Sequence, residues 1–229
     1  RCRLAYHPGA SWGYSVGADV MGAVIERASG LPFGDFVRER ILRPLGMKDS
    51  GFSVPPEKRE RLVTAYESIQ NADGAVSLRP YTGNHLAIRN DGGANAFHSG
   101  GAGLFSTVDD YAVFGRMLMN MGEGENGARI LREDTVRLLT GHRQTGERQR
   151  AFSQWIGLEG FSYGNFLRVM VDPSLAFLPA NVGEYGWDGW LATFFLNDPA
   201  TGLTAVLMQN QKDGEASDAS HRLRSLLYL

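Results

Sequence analysis

Residues 9–30, which read GASWGYSVGADVMGAVIERASG, constrain the fold most, because they join a small-residue turn and two aromatics to an apolar-periodic helix. Apolar side chains recur there at three- and four-residue intervals, which predicts a helix with one apolar face. Those side chains are Val20, Met21, Val24, Ile25 and Ala28. Ser15 is a candidate N-cap, or Gly17 in its place, and Gly30 offers a left-handed stop.

Tyr14 would stand at the mouth of this helix, where the backbone is rigid. An aromatic in that place commonly packs back on the fourth helical residue as a hydrophobic staple. With Ser15 as the cap, the fourth residue is Asp19, which suits the helix dipole but is too polar for a staple. A packing role and a functional role both stay open for Tyr14.

The composition excludes several classes of protein. The 229 residues carry a formal net charge of −2, which gives no basic surface for nucleic acid. No apolar run approaches the ~18 residues of a membrane span, and Cys2 as the only cysteine leaves no internal disulfide.

A cytoplasmic location is slightly favoured over a periplasmic one. Because the sequence begins with Arg1 rather than Met, we expect translation to start upstream.

A second helix and a long excursion follow the first helix. The second helix should begin near Phe33 and end at Pro44. Residues 50–95 are rich in turn-forming residues, which is typical of a functional lid or binding wall. The short strands expected within this excursion are residues 64–69 and 75–78.

Two further helices complete the first part of the chain. Thr107, with Asp110 at the third helical position, approximates a capping box for a helix that ends at Gly122. A shorter helix is expected over residues 132–140. We therefore predict that residues 1–150 form a mainly helical region with long loops.

From Phe152 onward the pattern changes to short apolar strands separated by turn residues. The expected strands are residues 166–171, 191–196 and 203–208. A turn-rich connection between the last two predicts an antiparallel hairpin, and residues 220–229 predict a closing helix on the sheet. Residues 151–229 thus add antiparallel strands and a C-terminal helix, and the chain as a whole predicts an α+β fold.

One stretch besides Tyr14 is a candidate ligand site. The five histidines form no ligand pair and there is no cysteine cluster, so we expect no metal and no other cofactor. Residues 100–103 lack the spacing of a nucleotide loop, and a tight backbone turn is their expected role. Residues 185–190, YGWDGW, have glycines that let a ligand approach the backbone. A twisted strand entry with two packed aromatics is the alternative.

Four motifs in order resemble those of one enzyme family. They are WGYSVGADVMGAVIERASG, ERILRPLGMKDSGF, GGAGLFSTVDDYAVFGRML and GWDGW followed by LNDPATGLTAVLMQN. Together they resemble the C-terminal part of the serine β-lactamase-like hydrolases, which include class C β-lactamases and penicillin-binding proteins. Within that superfamily the sequence is most similar to the family VIII carboxylesterases, over residues 8–210. The resemblance implies the β-lactamase/transpeptidase fold and hydrolysis through an acyl-enzyme.

The resemblance also implies roles for five residues. Tyr14 matches the tyrosine of the family's Tyr-x-Asn motif, which acts as general base toward a nucleophilic serine. Trp187, Asp188 and Gly189 match the Lys-Thr-Gly or His-Thr-Gly strand motif, which binds substrate. The backbone N–H of Trp190 matches one of the two oxyanion-hole donors.

The sequence departs from the family's pattern in three places. The Asn of Tyr-x-Asn is Val16, and the cationic or hydroxyl-bearing strand motif is Trp-Asp-Gly, in which Asp188 would repel a β-lactam carboxylate. Both changes favour neutral esters over penicillins. The nucleophile motif Ser-x-x-Lys is absent, because the residues three before the three lysines are Leu45, Pro55 and Gln209. We therefore expect the nucleophilic serine and its lysine to lie in an N-terminal segment upstream of these residues.

Without the lysine of the Ser-x-x-Lys motif, Tyr14 lacks the nearby cation that would allow it to act as a general base. A free tyrosine titrates near pH 10, so using one as a base at pH 7 costs about 4 kcal/mol. One cation about 4 Å away, at an effective dielectric constant of ~20, supplies roughly that amount. No Lys or Arg near Tyr14 in the sequence obviously takes the place of the missing lysine.

Three functions stay open at this point. The first is a serine hydrolase that takes a small-molecule ester or β-lactam-like substrate and has no nucleic-acid partner. The second is a D-alanyl peptidase or transamidase on the same fold. The third is a non-catalytic binding or scaffolding module, which the loss of Asn at Val16 and the absence of Ser-x-x-Lys favour.

The 229 residues by themselves should hydrolyse nothing, because they hold no nucleophile motif and would leave part of the sheet bare. The measurement is p-nitrophenyl ester hydrolysis by the isolated chain, with and without a separately produced N-terminal segment. Activity of the isolated chain alone would contradict this expectation, and activity restored only by the mixture would support it.

Overall fold

The computed structural model describes residues 3–83, 97–142, 144–155, 157–212 and 218–229. The α-helices are α1 (Gly17–Ser29), α2 (Phe33–Val37), α3 (Arg43–Leu45), α4 (Val108–Met119), α5 (Glu133–Thr140), α6 (Gly146–Ser153) and α7 (Asp218–Leu227). The strands are β1 (Tyr66–Gln70), β2 (Val76–Pro80), β3 (Phe161–Tyr163), β4 (Arg168–Met170), β5 (Tyr185–Asp188), β6 (Phe194–Asp198) and β7 (Leu203–Leu207). Within the described ranges, no helix combines the length and the apolar character needed to cross a membrane.

Strands β3 to β7 form one antiparallel sheet in which neighbours in sequence are neighbours in space. Helices pack on both faces of this sheet, so the predicted α+β fold is confirmed. The predicted hairpin is confirmed as well, because β6 and β7 pair in register from Phe194 opposite Leu207 to Asp198 opposite Leu203. The division of the chain at residue 150 stays a prediction, and α6 crosses that position to contact β3.

Two of the predicted strands begin later than expected. The strand predicted over residues 166–171 is limited to β4, because Phe166 has a φ of 61°, which places it in a turn. The strand predicted over residues 191–196 begins only at Phe194, because Ala192 has a φ of 68° and belongs to the turn before β6. In both cases a left-handed residue interrupts an apolar run.

The largest core cluster lies between the sheet and the helical region. Its buried members come from the second helical segment and the loop directly after it, from α4 and from β4 to β6. They are Leu42, Leu45, Met47, Met117, Leu118, Val169, Tyr185 and Phe195. Helix α4 approaches the sheet closely at Gly115, where an added Cβ would lie 2.8 Å from side-chain atoms of Phe195 and Thr204. The side-chain amide of Asn197 donates to the Gly115 carbonyl at 2.9 Å and fixes this approach.

The predicted N-cap of α4 is confirmed, but its partner acts differently. The Asp110 backbone N–H donates to the Thr107 hydroxyl at 3.2 Å. The Asp110 carboxylate accepts from the backbone of Asp49 and the hydroxyl of Ser50, both at 2.8 Å, instead of turning back to the cap. It therefore ties the loop after α3 to the start of α4.

Helix α1 lacks the N-cap that was expected and exposes much of its apolar face. It begins at Gly17 with Val16 as its cap residue and no side-chain cap, so neither Ser15 nor Gly17 caps it; Gly30 ends it in the left-handed conformation as predicted. The apolar stripe faces outward within the described residues. Its exposed members include Val20, Met21 and Val24, the cap residue Val16 is exposed as well, and only Gly22 of the helix is buried.

The second helix runs past the proline that was expected to end it. Helix α2 continues through a π-helical segment, Arg38–Leu42, into α3, which ends at the left-handed Gly46. Proline lacks the N–H that an α-helix interior needs and clashes with the preceding turn. The wider π-helical turn just before Pro44 relieves that conflict.

The excursion after α3 contains the two strands predicted in it. Strands β1 and β2 pair antiparallel, with Tyr66 opposite Pro80 and Gln70 opposite Val76. Tyr66 also exchanges backbone hydrogen bonds with the segment after β7, because its N–H donates to Asn210 and its carbonyl accepts from Lys212, both at 2.7 Å. The hairpin is therefore anchored to the end of the main sheet.

Helix α7 covers the opposite face of the sheet. Its Leu223 and Leu227 pack on a buried cluster of Phe194, Leu196 and Ala205, which confirms the predicted closing helix.

A buried ion pair fastens α7 to the loop before β5. Arg224 donates to Glu184 at 2.7 Å, and the side chains are 7% and 0% exposed. Arg224 also donates to the Pro179 carbonyl, and the Tyr228 hydroxyl donates to the same Glu184 oxygen at 2.5 Å. Burial, followed by the hydrogen bond to Glu184, raises the pKa of Tyr228, so its hydroxyl remains a donor.

Arg224→Met should destabilise the intact protein by about 3–5 kcal/mol, because it leaves the Glu184 carboxylate buried without its cation. The matched control is Arg222→Met on the same helix, whose side chain is 81% exposed and whose loss should cost little. Urea unfolding of the two variants measures the difference. Equal unfolding midpoints would show that the buried pair does not hold α7.

Candidate active site

Two stretches that lie far apart in the sequence meet at one corner of the fold. The ring of Tyr14, just before α1, lies parallel to the ring of Trp187 in β5, with 6.2 Å between ring centroids and 8° between the planes. The structure thus brings together the two motifs that the sequence singled out for chemistry. The catalytic and binding roles of these residues stay predictions.

Tyr14 does not act as a hydrophobic staple. Its ring packs against Trp155 at 5.1 Å as well as Trp187, and both partners lie outside α1. The side chain is 56% exposed, and its hydroxyl makes no hydrogen bond with the part of the chain that the structure describes. The phenol is therefore held by its ring while its oxygen stays accessible.

Further aromatic side chains pack together next to the rings of Tyr14 and Trp187. Trp12 packs edge-on against Phe152 at 4.9 Å and against Tyr163 at 5.6 Å, and Tyr163 in turn contacts Trp187 at 6.1 Å. Burial raises the pKa of Tyr163, and the neighbouring Tyr14 raises it further. Tyr163 therefore stays a neutral packing residue beside the exposed phenol.

The start of α1 is fixed by the glycine turn at residues 100–103. The Asp19 carboxylate accepts from the Ser99 hydroxyl at 2.7 Å and from the Gly101 N–H at 3.3 Å. Gly100 lies so close to α1 that an added Cβ would be 2.5 Å from the Ala18 carbonyl oxygen. The expected tight turn is confirmed, and it holds the helix that carries Tyr14.

Residues 189–192 form a tight turn between β5 and β6, which we call the Trp190 turn. The Gly189 N–H donates to the Thr193 carbonyl at 2.7 Å, and the Ala192 N–H donates to the Gly189 carbonyl at 2.8 Å. A Cβ on Gly189 would lie 2.0 Å from the Thr193 hydroxyl, so any other residue there would force the Thr193 side chain to move. The backbone of Trp190 is thereby held at the end of β5, beyond Trp187.

Asp188 forms an ion pair with Arg168 and does not face Tyr14. Its carboxylate accepts from Arg168 at 2.6 Å, and the Arg168 side chain is only 4% exposed. The guanidinium also lies over the rings of Phe161 and Phe194, at 5.5 and 5.6 Å. Neighbouring side chains of a strand point to opposite sides, so Asp188 points away from the corner that Trp187 faces. Its charge is balanced by Arg168, which weakens the repulsion expected toward an anionic substrate.

Sequence reasoning missed three contributors to this corner. Trp155 and Tyr163 belong to no motif, and β3 is too short to produce an alternating pattern. Arg168 lies within the strand predicted over residues 166–171, and nothing in that pattern indicates that it would pair with Asp188. The described residues contain no cluster of three or more side chains suited to binding a metal ion.

The chain matches one protein family and is similar in sequence to curated hydrolases. A family model described as "Beta-lactamase" matches residues 1–229. Esterase EstB of Burkholderia gladioli is 29% identical over 243 residues, which cover 98% of this chain and 56% of the esterase. A putative D-alanyl-D-alanine carboxypeptidase of Escherichia coli K12 is 28% identical over 229 residues, covering 95% of this chain and 49% of that protein.

A solved structure matches the fold over the whole chain. It is EstCE1, described as a hydrolase with promiscuous acyltransferase activity, with a TM-score of 0.82 and 25% identity. The match covers 100% of this chain and 59% of that structure. The chain spans about half the length of the curated relatives it matches. Its relatives thus include an esterase and a protein named as a carboxypeptidase, both hydrolases.

Proposed function

Since the chain belongs to the β-lactamase family, we propose that the intact protein is a serine hydrolase that cleaves carboxylic esters or β-lactam amides through an acyl-enzyme. Tyr14 serves as the general base, and the backbone N–H of Trp190 is one of the oxyanion-hole donors. The observation that carries this proposal is the parallel packing of Tyr14 on Trp187, which places the phenol beside the end of β5.

The proposed reaction has two steps. The serine oxygen attacks the ester carbonyl, Tyr14 accepts the serine proton, and the Trp190 N–H stabilises the oxyanion. Collapse of the tetrahedral intermediate breaks the bond to the leaving alcohol, which takes a proton from Tyr14. Water then adds to the acyl-enzyme and gives a proton to Tyr14. Collapse of the second tetrahedral intermediate breaks the bond to the serine oxygen, which takes that proton back from Tyr14 as the carboxylic acid leaves.

The nucleophilic serine and its lysine come from a segment outside these residues in this proposal. No Ser-x-x-Lys occurs in the sequence. Within the described residues, no cation stacks on the Tyr14 ring and nothing bonds to its hydroxyl, so that position suits groups supplied by another segment. The exposed apolar stripe of α1, directly after Tyr14, offers that segment a surface to pack on.

Neutral esters are the favoured substrate class. Val16 stands where an amide would hold a substrate's side-chain amide, and it cannot donate or accept a hydrogen bond through its side chain. Trp187 stands in place of the motif's cationic residue and Asp188 in place of its hydroxyl-bearing one, and the Asp188 charge is already paired with Arg168. None of these positions gives a substrate carboxylate a positive partner.

A peptidase acting on D-alanyl peptides is the second candidate, favoured by the relative named as a putative D-alanyl-D-alanine carboxypeptidase. A non-catalytic module is the third, favoured by Val16 and by the absence of Ser-x-x-Lys from these residues. The upstream reading frame separates the third candidate from the other two. Parallel assays with short-chain p-nitrophenyl esters and D-alanyl-D-alanine peptides separate the first two.

Tyr14→Phe should lower kcat/KM for p-nitrophenyl acetate in the intact protein by about 10²–10⁴-fold, because it removes the atom that accepts the serine proton. The ring contacts with Trp155 and Trp187 are retained, so folding should be unchanged. The matched control is Tyr66→Phe in β1, where the anchoring bonds come from the backbone. Equal activity of the two variants would remove Tyr14 from the role of base.

A further inference from the structure

The Trp190 turn is braced by a second group of residues that no catalytic motif includes. Resting on the proposed function, we propose that Lys212 is a positioning residue for this turn. It joins the β1–β2 hairpin to the Trp190 ring and so sets the direction of the Trp190 N–H toward the oxyanion. The hairpin thereby becomes part of the machinery for transition-state stabilisation.

The ring of Trp190 contacts both the ring of Tyr81 and the ammonium group of Lys212. Its edge meets the ring of Tyr81, the residue that follows β2, with 5.7 Å between centroids. The Lys212 ammonium lies 5.8 Å from the centroid of Trp190 and 5.8 Å from that of Tyr81. A cation within about 6 Å of an aromatic face is attracted to it, so Lys212 draws the two rings together.

The backbone of Gln211, which precedes Lys212, also contacts the Trp190 turn. The Gln211 N–H donates to the Leu191 carbonyl at 3.1 Å. The Gln211 side chain donates to the hydroxyl of Ser68 in β1 at 3.0 Å. One residue therefore holds both the Trp190 turn and the hairpin, and Lys212 directly follows it.

Lys212 is itself tied to the hairpin by its main chain and its side chain. Its N–H donates to the Tyr66 carbonyl at 2.7 Å, and its ammonium lies 3.8 Å from the Glu67 carboxylate. Glu67 also accepts from Arg79 of β2 at 2.8 Å. The lysine thus sits where β1, Tyr81 and the Trp190 turn converge.

The turn needs external support because its own conformation is strained. Ala192 is a non-glycine residue with a φ of 68°, and it is 2% exposed. A residue in the left-handed region persists only where its surroundings enforce it. Since an oxyanion donor must point at a defined position, a small rotation of this turn weakens transition-state binding more than substrate binding.

The test compares Lys212→Met, Lys212→Arg and Lys48→Met in the intact protein with p-nitrophenyl acetate. Lys212→Met keeps the length of the side chain but loses the charge, and kcat should fall on the order of tenfold with KM within about twofold. Lys212→Arg keeps a cation over both rings and should restore kcat. Lys48→Met, on an exposed lysine of the loop after α3, should match the wild type. Wild-type kcat in Lys212→Met, or a change confined to KM, would overturn the proposal.

A readout without activity keeps this inference separate from the proposed function. The indole N–H resonance of Trp190, assigned with Trp190→Phe, should shift in Lys212→Met and keep its position in Lys212→Arg. If the wild type hydrolyses no ester, the proposed function fails and the resonance still shows whether Lys212 positions the ring. An unmoved resonance in Lys212→Met would overturn the positioning role.

Discussion

The packing of Tyr14 on Trp187 is the contact on which the site depends, because it joins the entrance of the first helix to the middle strand of the sheet. Each partner is fixed independently. The Asp19 carboxylate and the glycine turn hold the start of α1, while β4 and β6 hold β5 on both sides. Two independently fixed elements therefore hold the Tyr14 ring against β5, and the proposed acyl transfer depends on such fixed positions.

The charges around this corner are balanced locally. Asp188 is paired with the buried Arg168, and Lys212 lies between Glu67 and two aromatic rings. Within the described ranges, no cation contacts the ring of Tyr14. A phenol that is to act as a base at neutral pH needs a positive neighbour, so the proposed mechanism requires one from the segment that brings the nucleophile.

Much of the fold could be predicted from the sequence because local signals agreed with it. Apolar periodicity gave α1, α4 and α7, and Thr107 and Gly30 marked helix ends by their own chemistry. The failures have physical causes. Pro44 was expected to end a helix that a π-helical turn allows to continue, and the spacing of the apolar residues of α1 did not reveal that Val20, Met21 and Val24 are exposed. The contacts of Trp155 and Arg168 are long-range, and periodicity carries no information about them.

In the proposed mechanism, Tyr14 and the Trp190 N–H converge on one acyl group bound to a serine from outside these residues. Its most direct test is the structure of the intact protein after reaction with a p-nitrophenyl phosphonate, which forms a stable tetrahedral adduct on a nucleophilic serine. We expect the Tyr14 hydroxyl to lie within hydrogen-bond distance of the serine oxygen and the Trp190 N–H to donate to the phosphoryl oxygen. An adduct placed away from the Tyr14 and Trp187 rings, or a phosphoryl oxygen held by other groups, would contradict it.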